Sequence, residues 1–270
     1  MRIAGNVVRE NLRNKVLYLL GLLGILTVAA LLLGGTVQVQ DEGGGPAVNL
    51  TDSLLGTIQI GFTIIGLFSA VVAVVLSMNT VPREFERKTI HLLLVRPVER
   101  WQVALELLLG NVLTALALYA LLSFGLVLVL AARWANAHYL LSLVPGLLTL
   151  SLNVAFTACL TTLLSARLPG AVAASLGLGV YVAGALGGVL DLGLQVKIMS
   201  ALERGASATF WEVLRSIVLW FLPPVNEIAA EAAKFLTPGA VLDAKVYVSA
   251  LIWLYFCVLL TAVSLYGKEV

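Results

Sequence analysis

Residues 54–78 read LLGTIQIGFTIIGLFSAVVAVVLSM, a run of 25 residues without a charged side chain. A helix needs about 20 predominantly apolar residues to cross the hydrocarbon core of a bilayer. Backbone N–H and C=O groups in that layer must be satisfied within the protein, so a long apolar run indicates a helix and not an open sheet. This stretch therefore predicts a transmembrane helix and decides the class of fold.

Five further runs of the same kind lie on either side of it. The six predicted spans are Val16–Thr36, Leu54–Met78, Val103–Ala131, Leu140–Leu164, Ala171–Leu190 and Tyr247–Tyr266. The sequence is 60% hydrophobic and only 12% charged, whereas soluble domains have about 25% charged residues. We therefore expect a single all-α transmembrane domain over residues 1–270, and the lack of period-2 alternation argues against a barrel.

The distribution of Lys and Arg predicts the orientation of the spans. With the amino terminus inside, the inner segments are 1–15, 79–101, 165–170 and 267–270. These short segments hold 11 of the 17 basic residues, and the longer outer segments hold the other six. Because cytoplasmic loops are enriched in Lys and Arg, we expect a multi-pass protein of the cell (inner) membrane with both termini in the cytoplasm.

Residues 1–15 are too polar to span the membrane. A helical wheel places Arg2, Arg9 and Arg13 on one stripe and Ile3, Val7, Val8 and Leu12 on the opposite side, which Asn11 interrupts. This pattern predicts a basic amphipathic helix in the inner headgroup layer. The alternative is a positively charged flank that need not be helical.

The long outer segment, residues 191–246, precedes the last span. Apolar residues recur at near-helical spacing up to Pro223-Pro224, and residues 226–236 can form another helix. Neither stretch is long enough to span, so we predict interfacial or re-entrant helices. The rival interpretation is a seventh span through 209–222, which would place the carboxyl terminus outside.

Polar residues are sparse within the spans. Thr57, Gln59, Thr63 and Asn111 form a candidate translocation path, although such side chains can equally hold helices together. Asn153 in the fourth span is open to the same two interpretations. Glu106 lies about one turn inside the third span. Water or Arg100 can reach it there, which favours an interfacial carboxylate over a functional one.

The fifth span carries a stripe of small residues at every fourth position: Ala171, Ser175, Gly179, Ala183 and Gly187, with Gly184 and Gly188 as a second pair. Small residues let another backbone approach closely. The stripe is therefore either the seam of a homodimer or a contact within the subunit. We favour the contact within the subunit, because a six-helix bundle needs close crossings.

The inner segment, residues 79–101, reads NTVPREFERKTIHLLLVRPVERW. Pro82 suits the first turn of a helix, and the residue before Pro97 avoids the helical region, so a short helix between them is predicted. Its first turns are charged and its end is apolar. Burial in a partner's groove or in the membrane face would explain the apolar end; the alternative is a solvated loop whose charges only set the topology.

This segment resembles the stretch between the second and third spans of exporter-type (type-2) ABC transporter permeases. The matching residues are Arg83, Glu84, Glu86, Arg87, Thr89, Ile90, Leu93, Leu94, Arg96, Pro97, Val98, Arg100 and Trp101. Elsewhere the resemblance is one of topology. The family commonly has Gly-Lys shortly after the Trp, where this chain has Glu106-Leu107.

The resemblance implies that the short helix is a coupling helix. Its residues Arg83, Glu84, Glu86, Arg87, Thr89, Ile90, Leu93, Arg96 and Pro97 would contact a separate ATP-binding subunit. Two copies of that subunit and a second permease copy, as a homodimer, would complete an ATP-driven exporter. The apolar spans favour a hydrophobic or amphipathic substrate.

The sequence itself carries no catalytic machinery. Its only Gly-Lys pair is Gly267-Lys268, with Ala at position 262, so no phosphate-binding loop is present. The two histidines, His91 and His138, lie on opposite predicted sides, and we expect no metal or other cofactor. The basic residues are scattered between spans, which argues against nucleic acid as a partner and leaves membrane lipids. Cys159 and Cys257 sit in apolar runs and are expected to be buried without a disulfide.

Two other classes of function stay open. An ion-coupled carrier would need ionisable residues at the bilayer midplane, and none is predicted there. A non-transporting anchor subunit of a larger complex fits the sequence nearly as well. Recovery of a soluble ATPase with the chain would distinguish the exporter from both.

Overall fold

A computed structural model describes residues 2–13, 18–19, 21–26, 50–78, 80, 100–133, 137–186, 223–235 and 242–266. The principal helices within these ranges are α1 (Arg2–Arg13), α2 (Leu50–Ser77), α3 (Arg100–Arg133), α4 (Ala137–Ser165), α5 (Gly170–Ala185), α6 (Val225–Lys234) and α7 (Ala244–Tyr266). None of the described residues lies in a strand. The predicted all-α class is therefore confirmed for this part of the chain.

Four of the helices are long and apolar enough to cross a membrane. Their apolar stretches are Ile60–Ser77, Trp101–Leu128, Leu143–Ser165 and Ala244–Ser264, in α2, α3, α4 and α7. The second, third, fourth and sixth predicted spans overlap these helices. α5 is apolar but only 16 residues long, and it overlaps the fifth. Most of the first predicted span lies outside the described residues, as does the rival seventh span.

α4 lies at the centre of the bundle and contacts α2, α3, α5, α6 and α7. The main core is formed by apolar side chains of α2, α3 and α4, among which Ile65, Leu122 and Val154 are 1% exposed. A smaller cluster joins α4, α3 and α7 around Cys159 and Cys257, which are both free and buried as predicted.

The outer surface of the bundle is also apolar. α7, for example, exposes Leu251, Ile252, Phe256 and Val263 at 50% or more of their surface. Large contiguous apolar surfaces are rare on soluble monomers, whereas lipid tails solvate them. These helix faces are therefore consistent with a membrane protein.

The buried face of α5 differs from the predicted stripe. Ala173, Gly177, Tyr181 and Gly184 face the bundle, and a Cβ built at Gly177 would lie 2.5 Å from Thr161 Oγ1 of α4. The stripe that begins at Ala171 points away instead. Its members Ala171, Ser175 and Gly179 are exposed and Ala183 is half-buried, while Gly187 and Gly188 lie outside the described residues. The prediction that this stripe makes the contact within the subunit is therefore wrong, although Gly184 of the second pair does make one.

α6 lies in the long outer segment and corresponds to the short helix predicted over 226–236. It has 10 residues, about 15 Å at 1.5 Å per residue, and it packs against α4, α5 and α7. The contact with α4 is close, since a Cβ built at Gly146 would lie 2.9 Å from the Ala232 carbonyl oxygen.

Candidate functional site

A network of buried polar side chains joins α1, α3, α4 and the residue Thr80 that follows α2. Asn111 of α3 lies at its centre and is 0% exposed. Asn111 Oδ1 accepts hydrogen bonds from Thr80 Oγ1 at 3.0 Å and from Asn11 Nδ2 at 3.3 Å. Asn111 Nδ2 donates to Thr162 Oγ1 of α4 at 3.1 Å. We call these four residues the polar junction.

α1 lies along the first turns of α3 through a small, closely packed contact. A Cβ built at Gly110 would lie 2.8 Å from Val7 Cβ and 3.1 Å from the Ala4 carbonyl oxygen, so only glycine allows this approach. Glu106 Oε2 accepts a hydrogen bond from the Ala4 N–H at 3.3 Å. A carboxylate is favourable there, because the free N–H groups give a helix amino terminus a partial positive charge.

The opposite face of α1 exposes Arg9 and Arg13, which agrees with the predicted amphipathic helix. The side chains of Arg2, Ile3 and Leu12 lie outside the described ones. Asn11, which the sequence placed as an interruption of the apolar side, is 8% exposed and has its partner on α3. A buried amide is stable only with such a partner, so Asn11 fixes how α1 sits on α3.

The polar junction connects the two helices on either side of the predicted coupling segment, with Thr80 at the start of the segment and Asn111 in α3 beyond its end. Thr80 is the last described residue before residues 81–99, and Arg100 begins α3 directly after them. The hydrogen bond between Thr80 and Asn111 therefore fixes the end of α2 to the helix that follows the segment. The nine predicted ATPase-contacting residues, Arg83 to Pro97, lie outside the described residues.

A cavity of about 290 Å³ opens between α2, α4, α5 and α6. Its wall is formed by Phe62, Thr63, Gly66, Leu67, Leu150, Asn153, Tyr181, Ala185, Val225, Asn226, Ala229, Ala230 and Ala233. None of these residues carries a charge. The cavity is therefore a neutral, mainly apolar space with four polar side chains in its wall, a composition typical of small-molecule sites.

Two of the polar side chains in this wall lack partners within the described part of the chain. Tyr181 is 7% exposed and its hydroxyl makes no hydrogen bond there. Asn153 is 3% exposed. Its Nδ2 donates to the Val225 carbonyl oxygen at 3.0 Å, while its Oδ1 is buried without a partner. Of these two unpartnered atoms only Asn153 Oδ1 is buried, and a buried polar atom is rarely left unsatisfied.

The predicted translocation path is only partly brought together. Thr63 lines the cavity, whereas Asn111 lies in the polar junction. Thr57 and Gln59 belong to α2, but their side chains lie outside the described ones. Tyr181 was missed as a cavity residue, because an aromatic residue in an apolar run gives no signal of its own.

Ionisable groups contribute little to this site. No group of three or more His, Cys, Asp or Glu side chains that could hold a metal occurs among the described residues. Glu231 of α6 is buried at 3% exposure. It pairs with Lys234 and accepts a hydrogen bond from the Asp243 N–H at 3.2 Å, so it fixes α6 to the start of α7.

The described part of the chain is all-helical and has four helices of membrane length, two of which, α2 and α4, line the neutral cavity together with α5 and α6. Residues 42–202, more than half of the chain, match the model of a family described as a protein of unknown function, DUF2705. The chain belongs to this family. No curated protein matches the sequence.

Proposed function

We propose that the chain is the membrane-spanning permease subunit of an ABC exporter. In this proposal six transmembrane helices cross the cell (inner) membrane, with both termini in the cytoplasm. The chain works as a homodimer with two copies of a separate ATP-binding subunit, which hydrolyses the ATP. The exported substrate is hydrophobic or amphipathic. The choice of class rests on the sequence pattern of residues 79–101.

The observation that carries the mechanism is the hydrogen bond that joins the helices on either side of that segment. Thr80 and Asn111 are bonded, so a push on residues 81–99 would move the end of α2 together with α3 at Asn111, about 16 Å along the helix from Arg100 at 1.5 Å per residue. Buried hydrogen bonds of this kind have a defined geometry, and they resist sliding of one helix past another. The junction is therefore suited to receive motion from a partner beneath the membrane.

α4 connects the junction to the cavity. Thr162 receives the hydrogen bond from Asn111, and Asn153 of the same helix lines the cavity. These two residues are nine positions apart, about 13 Å along a helix at 1.5 Å per residue. A rigid helix transmits a shift over that distance. Movement of the coupling segment would thus change the space between α2, α4, α5 and α6.

At the surface of the partner, the charged and the apolar coupling residues would have different roles. The charges of Arg83, Glu84, Glu86 and Arg87 would orient the docked ATPase, because charged groups at an interface rim set register and association rate. Ile90 and Leu93 would be buried at the centre of the contact, as apolar residues are at interface cores.

Co-purification tests the proposal. The chain with an affinity tag, extracted from its native membrane, should bring down a soluble ATPase that contains a phosphate-binding loop. The double variant Glu84→Gln/Arg87→Gln should recover several-fold less of it. The matched control is Glu203→Gln/Arg204→Gln, which removes the same two charges from the predicted outer side and should leave recovery unchanged.

Two results would reject the proposal. One is that no ATPase accompanies the wild-type chain and its transport activity does not depend on nucleotide. The other is that both double variants lose the ATPase to the same extent, because the loss would then not come from docking at residues 79–101.

A further inference from the structure

Tyr181 and Asn153 place unsatisfied hydrogen-bonding groups in the wall of the cavity. The Tyr181 hydroxyl lies beside Gly66, another wall residue, because a Cβ built at Gly66 would be 3.4 Å from the hydroxyl oxygen. This hydroxyl has no hydrogen-bond partner among the described residues. Its oxygen is not one of their buried unpartnered atoms, so a bound molecule can reach it.

The orientation of the Asn153 amide follows from its one hydrogen bond. The Val225 carbonyl can only accept, so the amide nitrogen must face it and the oxygen is the atom that remains. This removes the usual ambiguity between the two ends of an asparagine amide. Asn153 Oδ1 is itself buried without a partner, so the group that the wall offers to a ligand is the Tyr181 hydroxyl, which can donate or accept.

We propose that this cavity binds an uncharged molecule with an apolar body and one hydroxyl or amide group. The absence of charge in the wall disfavours ions, since a desolvated charge needs a partner. The apolar residues Phe62, Leu67 and Leu150 accommodate the body of the ligand. Its polar group bonds to the Tyr181 hydroxyl, which can donate or accept.

The size of the cavity limits the ligand. An apolar cavity of about 150 Å³ holds one benzene ring, so about 290 Å³ suits a body of two fused rings or a branched chain of similar volume. This ligand class goes beyond the proposed function. Binding to the isolated chain requires no ATPase, and failure of one proposal leaves the other standing.

A pair of matched probes tests the site. The full chain, reconstituted in phosphatidylcholine nanodiscs, is titrated with 2-naphthol and with 2-methylnaphthalene, which have the same ring system but differ by a hydroxyl in place of a methyl group. Apparent dissociation constants come from the rise of the unfolding midpoint with probe concentration. We expect 2-naphthol to bind wild type roughly threefold to tenfold more tightly than Tyr181→Phe, the range of one neutral hydrogen bond.

The controls separate the site from the lipid and from general stability. The affinity for 2-methylnaphthalene should be the same for wild type and Tyr181→Phe. Tyr119→Phe also removes a buried hydroxyl, one that donates to the Leu147 carbonyl oxygen at 2.6 Å outside this wall, and it should keep full affinity for 2-naphthol. Ala229→Leu, which fills the cavity, should weaken both probes.

Two outcomes would overturn the inference. In the first, 2-naphthol binds wild type and Tyr181→Phe equally well. In the second, Ala229→Leu binds both probes as tightly as wild type, which would place them in the lipid or elsewhere on the protein. Tyr181→Phe keeps the ring and removes an unpartnered hydroxyl, so it should fold at least as well as wild type.

Discussion

Replacing Asn111 with leucine removes the centre of the polar junction while keeping a side chain of similar size. Asn111 bonds to Asn11, Thr80 and Thr162, and it is completely buried. We expect the variant Asn111→Leu to be less stable and α1 to be held less firmly. The size of the effect follows from what each partner loses.

The partners of Asn111 lose different amounts. Thr162 keeps its hydrogen bond to the Ala158 carbonyl oxygen, and the single Thr80 proton can stay with the Leu76 carbonyl oxygen at 2.9 Å. Asn11 loses the one side-chain acceptor that the described structure gives it. Polar contacts between helices in membrane proteins contribute about 0.6 kcal/mol each. Losing three such contacts and leaving the buried Asn11 amide without a partner, at about 1 kcal/mol, should lower the free energy of unfolding by about 2–3 kcal/mol.

Equilibrium unfolding in mixed micelles measures this loss. A double-mutant cycle with Asn11→Leu should give a coupling of about 1.6 kcal/mol with Asn111→Leu, since the shared contact of about 0.6 kcal/mol is counted in both single variants and the penalty of about 1 kcal/mol for the unpaired Asn11 amide is absent from the double variant. Ser69→Ala is the matched control, since Ser69 Oγ is buried without a partner among the described residues, and it should be neutral or slightly stabilising. A neutral or stabilising Asn111→Leu, or a coupling of zero, would refute the assignment of Asn111 as the bonded centre of the junction.

Two further predictions concern α1 and α6. Gly110→Ala should displace α1, because the new Cβ overlaps it. Maleimide labelling of a cysteine introduced at Ala4 should then speed up about tenfold, as overpacking of about 1–3 kcal/mol implies. The control is Gly125→Ala: a Cβ built at Gly125 has no other atom within 4 Å, so this variant should leave the labelling rate unchanged. Glu231→Gln should lower the free energy of unfolding by about 1–2 kcal/mol, less than for a fully buried pair because Lys234 is 40% exposed. High salt should leave this loss intact, and full suppression by salt would contradict burial of the carboxylate.

The helices could be predicted from the sequence because the signal is local. Twenty apolar residues in a row suffice to predict a helix of membrane length, whatever lies beside it. The same holds for α1, whose arginine stripe recurs with the helical period and lies on the exposed side at Arg9 and Arg13. The bounds differ by a few residues, since α2 begins at Leu50 and not at Leu54.

Contacts between distant helices could not be predicted in the same way. The small residues from Ala171 onward do form a face of α5 without large side chains. Their spacing, however, does not indicate which neighbouring helix, if any, packs against that face. The face that packs on α4 contains Gly177 and Tyr181, a small and a large residue together. Such a pair escapes a search for small residues alone. Tyr181 also lies beside Gly66 of α2, and this contact joins residues 115 positions apart in the sequence.

At Glu106 and Leu107 the chain departs from the permease pattern. The packing of α1 against α3 gives a physical reason for both residues. Glu106 accepts a hydrogen bond from Ala4 at the amino terminus of α1, and Leu107 is 2% exposed in a cluster with Val7. Lysine at 107 would bury a charge in that cluster, and glycine at 106 would remove the acceptor for Ala4. The departure therefore belongs to the attachment of α1 and not to the segment 79–101. It follows that Glu106→Gln should weaken the attachment of α1, so that maleimide labels a cysteine introduced at position 4 faster. Recovery of a partner ATPase should stay at the wild-type level. A loss of the ATPase without any change in the labelling rate would contradict this separation.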